Sequence, residues 1–249
     1  KGYNDPRLKS YFNAAQDGRD NDGNITQTVA GVKQLTSIEG KFKGVRQGTG
    51  VGDNRYSTHS RTTITTSSKI IVMAAAEVWF LRAEAALRGF TSEDVESCYK
   101  QGVTTSFAQW DASGVSEYLE SENTPADYVD TFDKNFDAKA TTSITPKWDN
   151  TADNETKLER IITQKWLAIY PEGCEAWAEQ RRTGYPKLFK VVVNNSSNAI
   201  STDDMIRRVF FNQDYITNNK PLYDALVSKL GGLDTGGTRL WWDTGKNNF

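Results

Sequence analysis

The sequence predicts an all-α protein, a scaffold of helical hairpins with long irregular loops and a little β structure. Apolar residues recur at helical spacing in several stretches beyond residue 70, and glycine or proline stands at the ends of those stretches. Residues 1–69 are dominated by Gly, Asn, Asp, Ser and Thr, which favour turns. In a chain of 249 residues we therefore expect one domain, loop-rich at 1–69 and a helical scaffold at 70–249.

The clearest hairpin is predicted for residues 70–109. A helix over 70–88 would end at Gly89, and its apolar stripe is Ile70, Ala74, Val78, Leu81 and Ala85. The next helix would be capped by Thr91 together with Asp94, and its stripe is Val95, Cys98, Tyr99, Gly102, Val103 and Phe107. The short connection requires antiparallel packing, which indicates a TPR-like architecture although no strict repeat period is visible.

Further elements are predicted along the rest of the chain. The helices are expected at Val115–Leu119, from Thr124-Pro125 over Tyr128 and Phe132, at Asn154–Tyr170, at Glu172–Thr183 and at Pro221–Leu230. Pro171 separates two of them, and Gly184 and Gly231 end the last two. Short strands are expected at Arg61–Thr66 and Phe189–Val193.

Composition and charge exclude several classes of function. The 30 basic and 32 acidic residues leave a net charge of -2, without the basic excess of a nucleic-acid-binding protein. Because the chain has two cysteines and one histidine, His59, we expect no zinc site, no Ser-His-Asp triad and no cofactor. His59 is expected in a surface loop, and no apolar run is long enough to span a bilayer.

The loop-rich region holds one candidate binding site. Asp17–Asn24 lacks the first carboxylate and the last glutamate of an EF-hand, which favours a solvated turn and leaves an irregular calcium site open. Gly44–Asn54 matches neither glycine-rich phosphate pattern, but long loops often bind ligands. The recognition side chains of such a loop, suited to a sugar or a peptide, would be Phe42, Arg46, Asn54, Arg55, Tyr56 and His59.

Aromatic residues supply a second set of candidates. Seven Trp, ten Tyr and eleven Phe compensate for a shortage of aliphatic residues, so most of them are expected in the core. Trp110, at the end of a helix, is either a core residue or an exposed platform for a ligand. The predicted ligand-binding residues are Asn54, Arg55, Tyr56, His59, Trp110 and Tyr118, with Trp148 as a further aromatic of the possible binding surface.

Three carboxylates around Trp177 allow an enzymatic alternative. Glu172, Glu175 and Glu179 could supply the acid and base of a glycoside hydrolase. The favoured interpretation is structural, with carboxylates stabilised at a helix start and Glu179 paired with Arg182.

Several motifs in order resemble the SusD/RagB outer-membrane lipoproteins of Bacteroidetes. The motifs are Asp5-Pro6-Arg7-Leu8 with Tyr11-Phe12, EVWFLRAEAALRG over 77–89, IITQKWLAIYPEGCEAWAEQRRTGYP over 161–186, Ile206-Arg207-Arg208 with Asn212 and Tyr215, and TRLWWD over 238–243. The resemblance extends over almost the whole chain. It implies that Trp166, Trp177, Arg181 and Arg182 pack and pair within the scaffold.

The resemblance also implies a function. This chain would be the C-terminal portion of a lipid-anchored protein on the outer face of the outer membrane, and the N-terminal portion would carry the lipidated cysteine. Such a protein binds a glycan, or sometimes a peptide, without catalysis and delivers it to a SusC-like TonB-dependent transporter. The family has no fixed ligand-binding motif, so no binding residue is carried over. A glycoside hydrolase and a purely structural interaction module stay open as alternatives.

Overall fold

Helices account for nearly all of the regular structure of this chain. The computed structural model describes residues 2–16, 28–29, 32–33, 41–49, 56–245 and 247–249. Its helices are α1 (Leu8–Tyr11), α2 (Ala75–Leu87), α3 (Val95–Gln109), α4 (Val115–Leu119), α5 (Asn154–Ala168), α6 (Gly173–Thr183), α7 (Gln213–Asn218) and α8 (Lys220–Leu230). Two short strands, β1 (Thr28–Val29) and β2 (Val32–Lys33), pair antiparallel, and Lys134–Phe136 is a 3₁₀ turn. The predicted fold class is confirmed.

Helices α2 and α3 pack against each other as the predicted hairpin. Gly102 of α3 allows the close approach, because a Cβ atom at this position would lie only 2.8 Å from the Phe80 ring. Tyr99 and Val103 of α3 are fully buried beside Ala76 of α2. Helix α5 completes this core with the side chains of Leu158, Ile161 and Ile162. No helix in the described ranges is long and apolar enough to cross a membrane.

The buried face of α2 differs from the predicted stripe. The helix begins at Ala75, and Ile70 in the preceding segment is 90% exposed. Val78 and Leu81 are also exposed, whereas the core takes up Ala76, Phe80 and Ala83. Alanines and larger apolar residues surround most of this helix, so spacing alone selected the wrong face. Asp94, not Thr91, caps α3 and accepts a hydrogen bond from the Ser97 amide.

Three other predicted elements are wrong. The helix expected after Thr124 is replaced by a bridge in which Tyr128 and Ala138 exchange backbone hydrogen bonds of 2.8 and 2.9 Å. Near Arg61–Thr66 the structure has only an isolated bridge between Thr62 and Phe12. Phe189–Val193 is not a strand. The amides of Val192 and Val193 each donate one hydrogen bond, to the carbonyls of Gln47 and Gly48 respectively. The short helix α7, capped by Asn212, is not predicted at all.

A buried arginine connects the N-terminal segment to three helices. Arg7 is fully buried and forms an ion pair with Asp5 at 2.6 Å. Its guanidinium also donates to Ser106 Oγ of α3 at 2.8 Å and to Gln164 Oε1 of α5 at 3.1 Å. The ring of Tyr118 from α4 lies 5.5 Å from the same guanidinium. Because a buried charge is tolerated only with partners, this site determines where the segment docks.

An ionic network joins α2, α5 and α6. Lys165 is almost fully buried, and its Nζ lies 2.9 Å from Glu179, 3.1 Å from Glu175 and 3.4 Å from Glu77. The network continues through Arg182, which contacts both Glu179 and Glu84. Charges that leave water in this way are stabilised by each other, and the loss of one leaves its partner unpaired.

Glu84 is held in its charged form within this network. Burial alone would raise the pKa of Glu84, but hydrogen bonds and charges from Arg182 and Arg88 outweigh burial and lower the pKa below 4.5. A carboxyl whose pKa is lower in the folded state than in the unfolded state stabilises the fold at pH values above its unfolded pKa. This contribution is lost as pH falls through the folded pKa.

We predict that Asp5→Ala lowers the free energy of unfolding by about 3–5 kcal/mol, because it leaves the buried Arg7 charge unpaired. Denaturant unfolding measures this change. Arg7→Met on the Asp5→Ala background should recover part of the loss. Glu122→Ala is the control, since Glu122 pairs with Lys147 at the surface and its removal should change little. An Asp5→Ala protein as stable as the control would contradict the proposed importance of the buried pair.

We also predict that Glu84→Gln lowers stability by about 2 kcal/mol near pH 7 and that this difference shrinks as pH falls below 4.5. Denaturant unfolding over a pH series provides the comparison. Glu117→Gln, an exposed acid of α4 outside the network, should follow the parent protein throughout. A pH-independent difference for Glu84→Gln would show that its charge is not what stabilises the network.

Candidate functional site

The structure brings Tyr56 and His59 against a second loop. Tyr56 Oη donates to the Asp130 carboxylate, with distances of 3.0 and 3.1 Å to its two oxygens. Tyr128 Oη donates to the same carboxylate at 2.7 Å. The Tyr56 ring centre lies 5.0 Å from that of His59 and 5.3 Å from that of Phe132. These contacts fasten residues 56–60 to residues 128–133.

Asp130 is the centre of this loop contact. Burial alone would raise the pKa of Asp130, but hydrogen bonds from the Phe132 and Asp133 amides and from both tyrosine hydroxyls lower it. The Tyr56 hydroxyl therefore belongs to the loop contact. A ligand contact by Tyr56 stays a prediction, and it would use the ring rather than this hydroxyl. Among the other loop candidates, Arg46 donates to the Lys190 and Phe136 carbonyls at 3.0 and 3.1 Å, and Phe42 lines a separate cavity. Asn54, Arg55 and the Asp17–Asn24 stretch lie outside the described residues.

His59, Tyr118 and Trp148 are less exposed than predicted. His59 is buried beside the rings of Tyr56 and Phe132, so the expected surface-loop position is wrong. Tyr118 is buried against Arg7, and its hydroxyl accepts hydrogen bonds from the Arg7 guanidinium and from Gln164 Nε2. Trp148 is buried as well. Tyr118 and Trp148 therefore lie inside the structure, and a ligand contact by either residue stays a prediction.

Trp110 lies in a separate group of aromatic rings. We call Tyr11, Phe12, Trp110 and Tyr170 the Trp110 cluster. The Tyr11 ring centre lies 4.7 Å from that of Trp110, edge to face, and 4.8 Å from that of Tyr170. Phe12 extends the cluster at 5.3 Å from Tyr170. Tyr11 is buried, whereas the other three members are half-buried and offer part of their ring surface.

Two cavities flank the Trp110 cluster. One of about 350 Å³ is lined by Tyr11, Phe12 and Tyr170. The other, of about 520 Å³, is lined by Trp110 together with Gln109 and Lys69. Pro171 contributes to both walls. Each volume lies in the range typical of small-molecule sites.

The cluster offers apolar ring faces to a ligand. Its tyrosine hydroxyls are already bonded, since Tyr11 Oη donates to the Leu167 carbonyl and Tyr170 Oη shares a 2.5 Å hydrogen bond with Thr62. Trp110 Nε1 has no hydrogen-bond partner among the described residues, but it is inaccessible to solvent and therefore does not face either cavity. A ligand would contact the faces of the rings.

Two of the three carboxylates of the enzymatic alternative are engaged in the ionic network, whereas Glu172 lines the cavity of about 350 Å³ beside the Trp110 cluster. Glu179 is buried between Lys165 and Arg182, and Glu175 contacts Lys165. The prediction that Glu179 pairs with Arg182 is confirmed. Glu175 and Glu179 do not form the acid and base of a hydrolase. Among the described residues, no group of three or more His, Cys, Asp or Glu side chains is arranged to hold a metal ion.

Sequence reasoning found Trp110 but not its neighbours in the cluster. In the sequence, Tyr11 and Phe12 belong to the family motif that begins at Asp5. Tyr170 stands out there only as the residue before the helix-breaking Pro171. The rings meet because α1, the end of α3 and the end of α5 converge in space. No local sequence pattern predicts that such distant segments meet.

Comparisons with known proteins agree with this fold. The family model described as SusD-like, Susd and RagB outer membrane lipoprotein, matches residues 1–243. A comparison with curated proteins finds no significant match. Among solved structures, a SusD homologue from Bacteroides vulgatus is 47% identical with a TM-score of 0.84, and the match covers 100% of this chain and 48% of that protein.

Two further structures are similar over the same extent. A chitin-binding SusD homologue from Flavobacterium johnsoniae is 39% identical with a TM-score of 0.87, and the match covers 100% of this chain and 48% of the homologue. A homologue from Bacteroides thetaiotaomicron is 35% identical with a TM-score of 0.84, and the match covers 99% of this chain and 50% of the homologue. The chain thus spans about half the length of these relatives. It belongs to the SusD/RagB family of outer-membrane lipoproteins.

Proposed function

We propose that the protein binds a glycan at the outer membrane without cleaving it and delivers it to a SusC-like TonB-dependent transporter. The observation that carries the binding proposal is the Trp110 cluster, a group of partly exposed rings between two cavities in a chain of this family. The chitin-binding relative supports a glycan as the ligand and chitin fragments as the first probes.

The chemistry of the Trp110 cluster suits a sugar chain. The C–H faces of a sugar ring are apolar and pack on aromatic faces, whereas its hydroxyls need donors and acceptors nearby. Trp110 supplies a ring, and Gln109 and Lys69, which line the same cavity, carry polar groups. A net charge of -2 favours an uncharged glycan over a polyanion.

The absence of cleavage is supported by the pairing of the candidate acids. A retaining or inverting glycosidase needs two carboxyl groups facing one scissile bond. Glu175 and Glu179 instead face Lys165 inside the ionic network. The protein would therefore capture an intact glycan and leave its cleavage to other proteins.

The transporter part of the proposal concerns the whole protein. It is supported by the family alone, since this chain spans about half of its relatives. A binding protein on the extracellular face would raise the local concentration of glycan at the transporter mouth. This arrangement gives a non-catalytic protein a direct effect on nutrient uptake.

We predict that Trp110→Phe, tested in the complete protein, weakens glycan binding at least about tenfold, since it removes part of the stacking surface. Affinity electrophoresis in a panel of polysaccharides, followed by titration with chitin oligosaccharides, gives the measurement. Trp241→Phe is the matched control, because Trp241 is 91% exposed and lies outside the Trp110 cluster.

Two outcomes would contradict this proposal. Equal affinity in the parent and the Trp110→Phe protein would remove the Trp110 cluster as the binding site. Release of shorter sugars from any glycan of the panel would contradict the non-catalytic role. A protein that binds peptides but none of the glycans would refute the proposed ligand class.

We further predict that the complete protein, purified from its own outer membrane in mild detergent, retains a TonB-dependent transporter. Mass spectrometry of the purified complex identifies this partner. An unrelated outer-membrane lipoprotein carrying the same affinity tag serves as the control for non-specific association. Recovery of equal amounts of transporter with the control would contradict the partnership.

A further inference from the structure

Helix α2 has a second apolar face, on the side turned away from the core. Ala76, Phe80 and Ala83 enter the core, whereas Val78 and Leu81 are exposed. We call the side of α2 turned away from the core its outer face, and its residues are Ala75, Val78, Leu81, Arg82, Ala85 and Ala86. A helix that is apolar on all sides is typical of a buried position. Helix α2 therefore has the composition of an interior helix but is covered on one side only.

The charge on the outer face is already paired. Arg82 is the only charged residue of this face, all of whose residues the structure describes. Its Nε donates to the Glu93 carboxylate at 3.0 Å, and its guanidinium carbon lies 3.9 Å from the centre of the Trp79 ring. An element that packs on the outer face therefore needs no counter-ion for Arg82.

Exposed apolar residues also flank both ends of α2. Before the helix, Ile70 is 90% exposed, Val72 is 91% exposed, and Met73 is exposed as well. After the helix, Phe90 is 78% exposed. In total, six large apolar side chains of residues 70–90 are exposed. A single exposed apolar residue needs no explanation, whereas a concentration of them marks an interaction surface.

Helix α3, the other half of the hairpin, has an ordinary solvent-facing side. Its exposed residues include Ser97 and Gln101, which are polar. Lys100 pairs with Glu96 along the helix at 2.7 Å. Polar and paired groups of this kind are compatible with water. The apolar surface is therefore a property of α2 and not of the hairpin as a whole.

The hairpin architecture indicates what covers such a face. In scaffolds of stacked helical hairpins, each hairpin buries its apolar faces against its neighbours, and a terminal hairpin needs a polar outer surface. The core side of α2 packs on α3 and α5. Its outer face lacks the polar residues of a terminal hairpin. We therefore expect a further helical hairpin to pack there.

The relatives indicate where this hairpin comes from. Three solved relatives match 99–100% of this chain, but the match covers only 48–50% of each relative. A complete protein of the relatives' size contains about as many residues again, and the family resemblance implies that they precede this chain. A segment of the same polypeptide is held at a high local concentration beside the outer face. This favours it over a second copy or a separate protein, which would have to associate from solution.

We propose that a helical hairpin from the N-terminal portion of the complete protein packs on the outer face of α2. The contact would bury Val78 and Leu81 and join the two portions of the polypeptide through a shared core. This inference concerns the assembly of the scaffold, and it holds whether or not the Trp110 cluster binds a glycan.

The test measures the accessibility of α2 in the complete protein, purified without a transporter. Cys174→Ser removes the exposed native cysteine, and Cys98 is buried. On this background, Val78→Cys places a reporter thiol on α2 and Gln101→Cys places the matched control on α3, at positions that are both exposed in this chain. We expect a maleimide to modify the Val78→Cys protein at least about tenfold more slowly than the Gln101→Cys protein.

Two controls accompany this comparison. The Cys174→Ser protein without a reporter gives the background modification. Equal modification of both reporters in denaturant shows that each thiol is reactive when the chain is unfolded.

A second measurement identifies the element that covers the outer face. Leu81→benzoylphenylalanine introduces a photoreactive side chain, and mass spectrometry maps the peptides that it crosslinks on illumination. We expect crosslinks within one polypeptide, to peptides of the N-terminal portion.

Four results would overturn the inference. The first is equal modification of the Val78→Cys and Gln101→Cys proteins in the folded state. The second is crosslinking between two polypeptides together with protection that is lost on dilution, which would assign the face to a second copy. The third is protection that arises only when the transporter is added, which would assign the face to the transporter. The fourth is crosslinking from Leu81 only to peptides within residues 1–249.

Discussion

The buried guanidinium of Arg7 is the constraint on which the rest of this structure depends. A fully buried positive charge must have its counter-ion and its hydrogen-bond acceptors in place, and here they come from Asp5, Ser106 of α3 and Gln164 of α5. The N-terminal segment therefore docks against the helices in one position. Tyr11 lies on the same segment, so this charge also positions a residue of the Trp110 cluster.

The aromatic residues of the chain serve several roles that their number alone does not distinguish. Phe80 and Tyr99 fill the core where a richer aliphatic composition would otherwise be needed. Trp177 covers the guanidinium of Arg181 at 3.6 Å and belongs to the scaffold, as the family motif implied. Trp110 and Trp166 lie at cavities, with ring surface that the core does not use.

The scaffold pairs several of its charged residues with one another in its interior. Lys165, Glu175 and Glu179, which could suggest catalysis from their types and spacing, are used to hold α2, α5 and α6 together. What the molecule offers to a partner is concave, aromatic and close to neutral. Stacking and hydrogen bonding suit such a surface, and Glu175 and Glu179 are paired with Lys165 instead of facing one glycosidic bond.

The sequence by itself determined the fold class, the α2–α3 hairpin, the long helix α5 with α6 after it, and the family. These follow from periodicity, end signals and ordered motifs, which are local properties of the chain. Only the tertiary structure decided which face of α2 is buried, that Tyr118 and His59 lie inside, and that Tyr11 and Tyr170 meet Trp110. The tertiary structure decides these points because hydrogen bonding and burial depend on residues far apart in the chain.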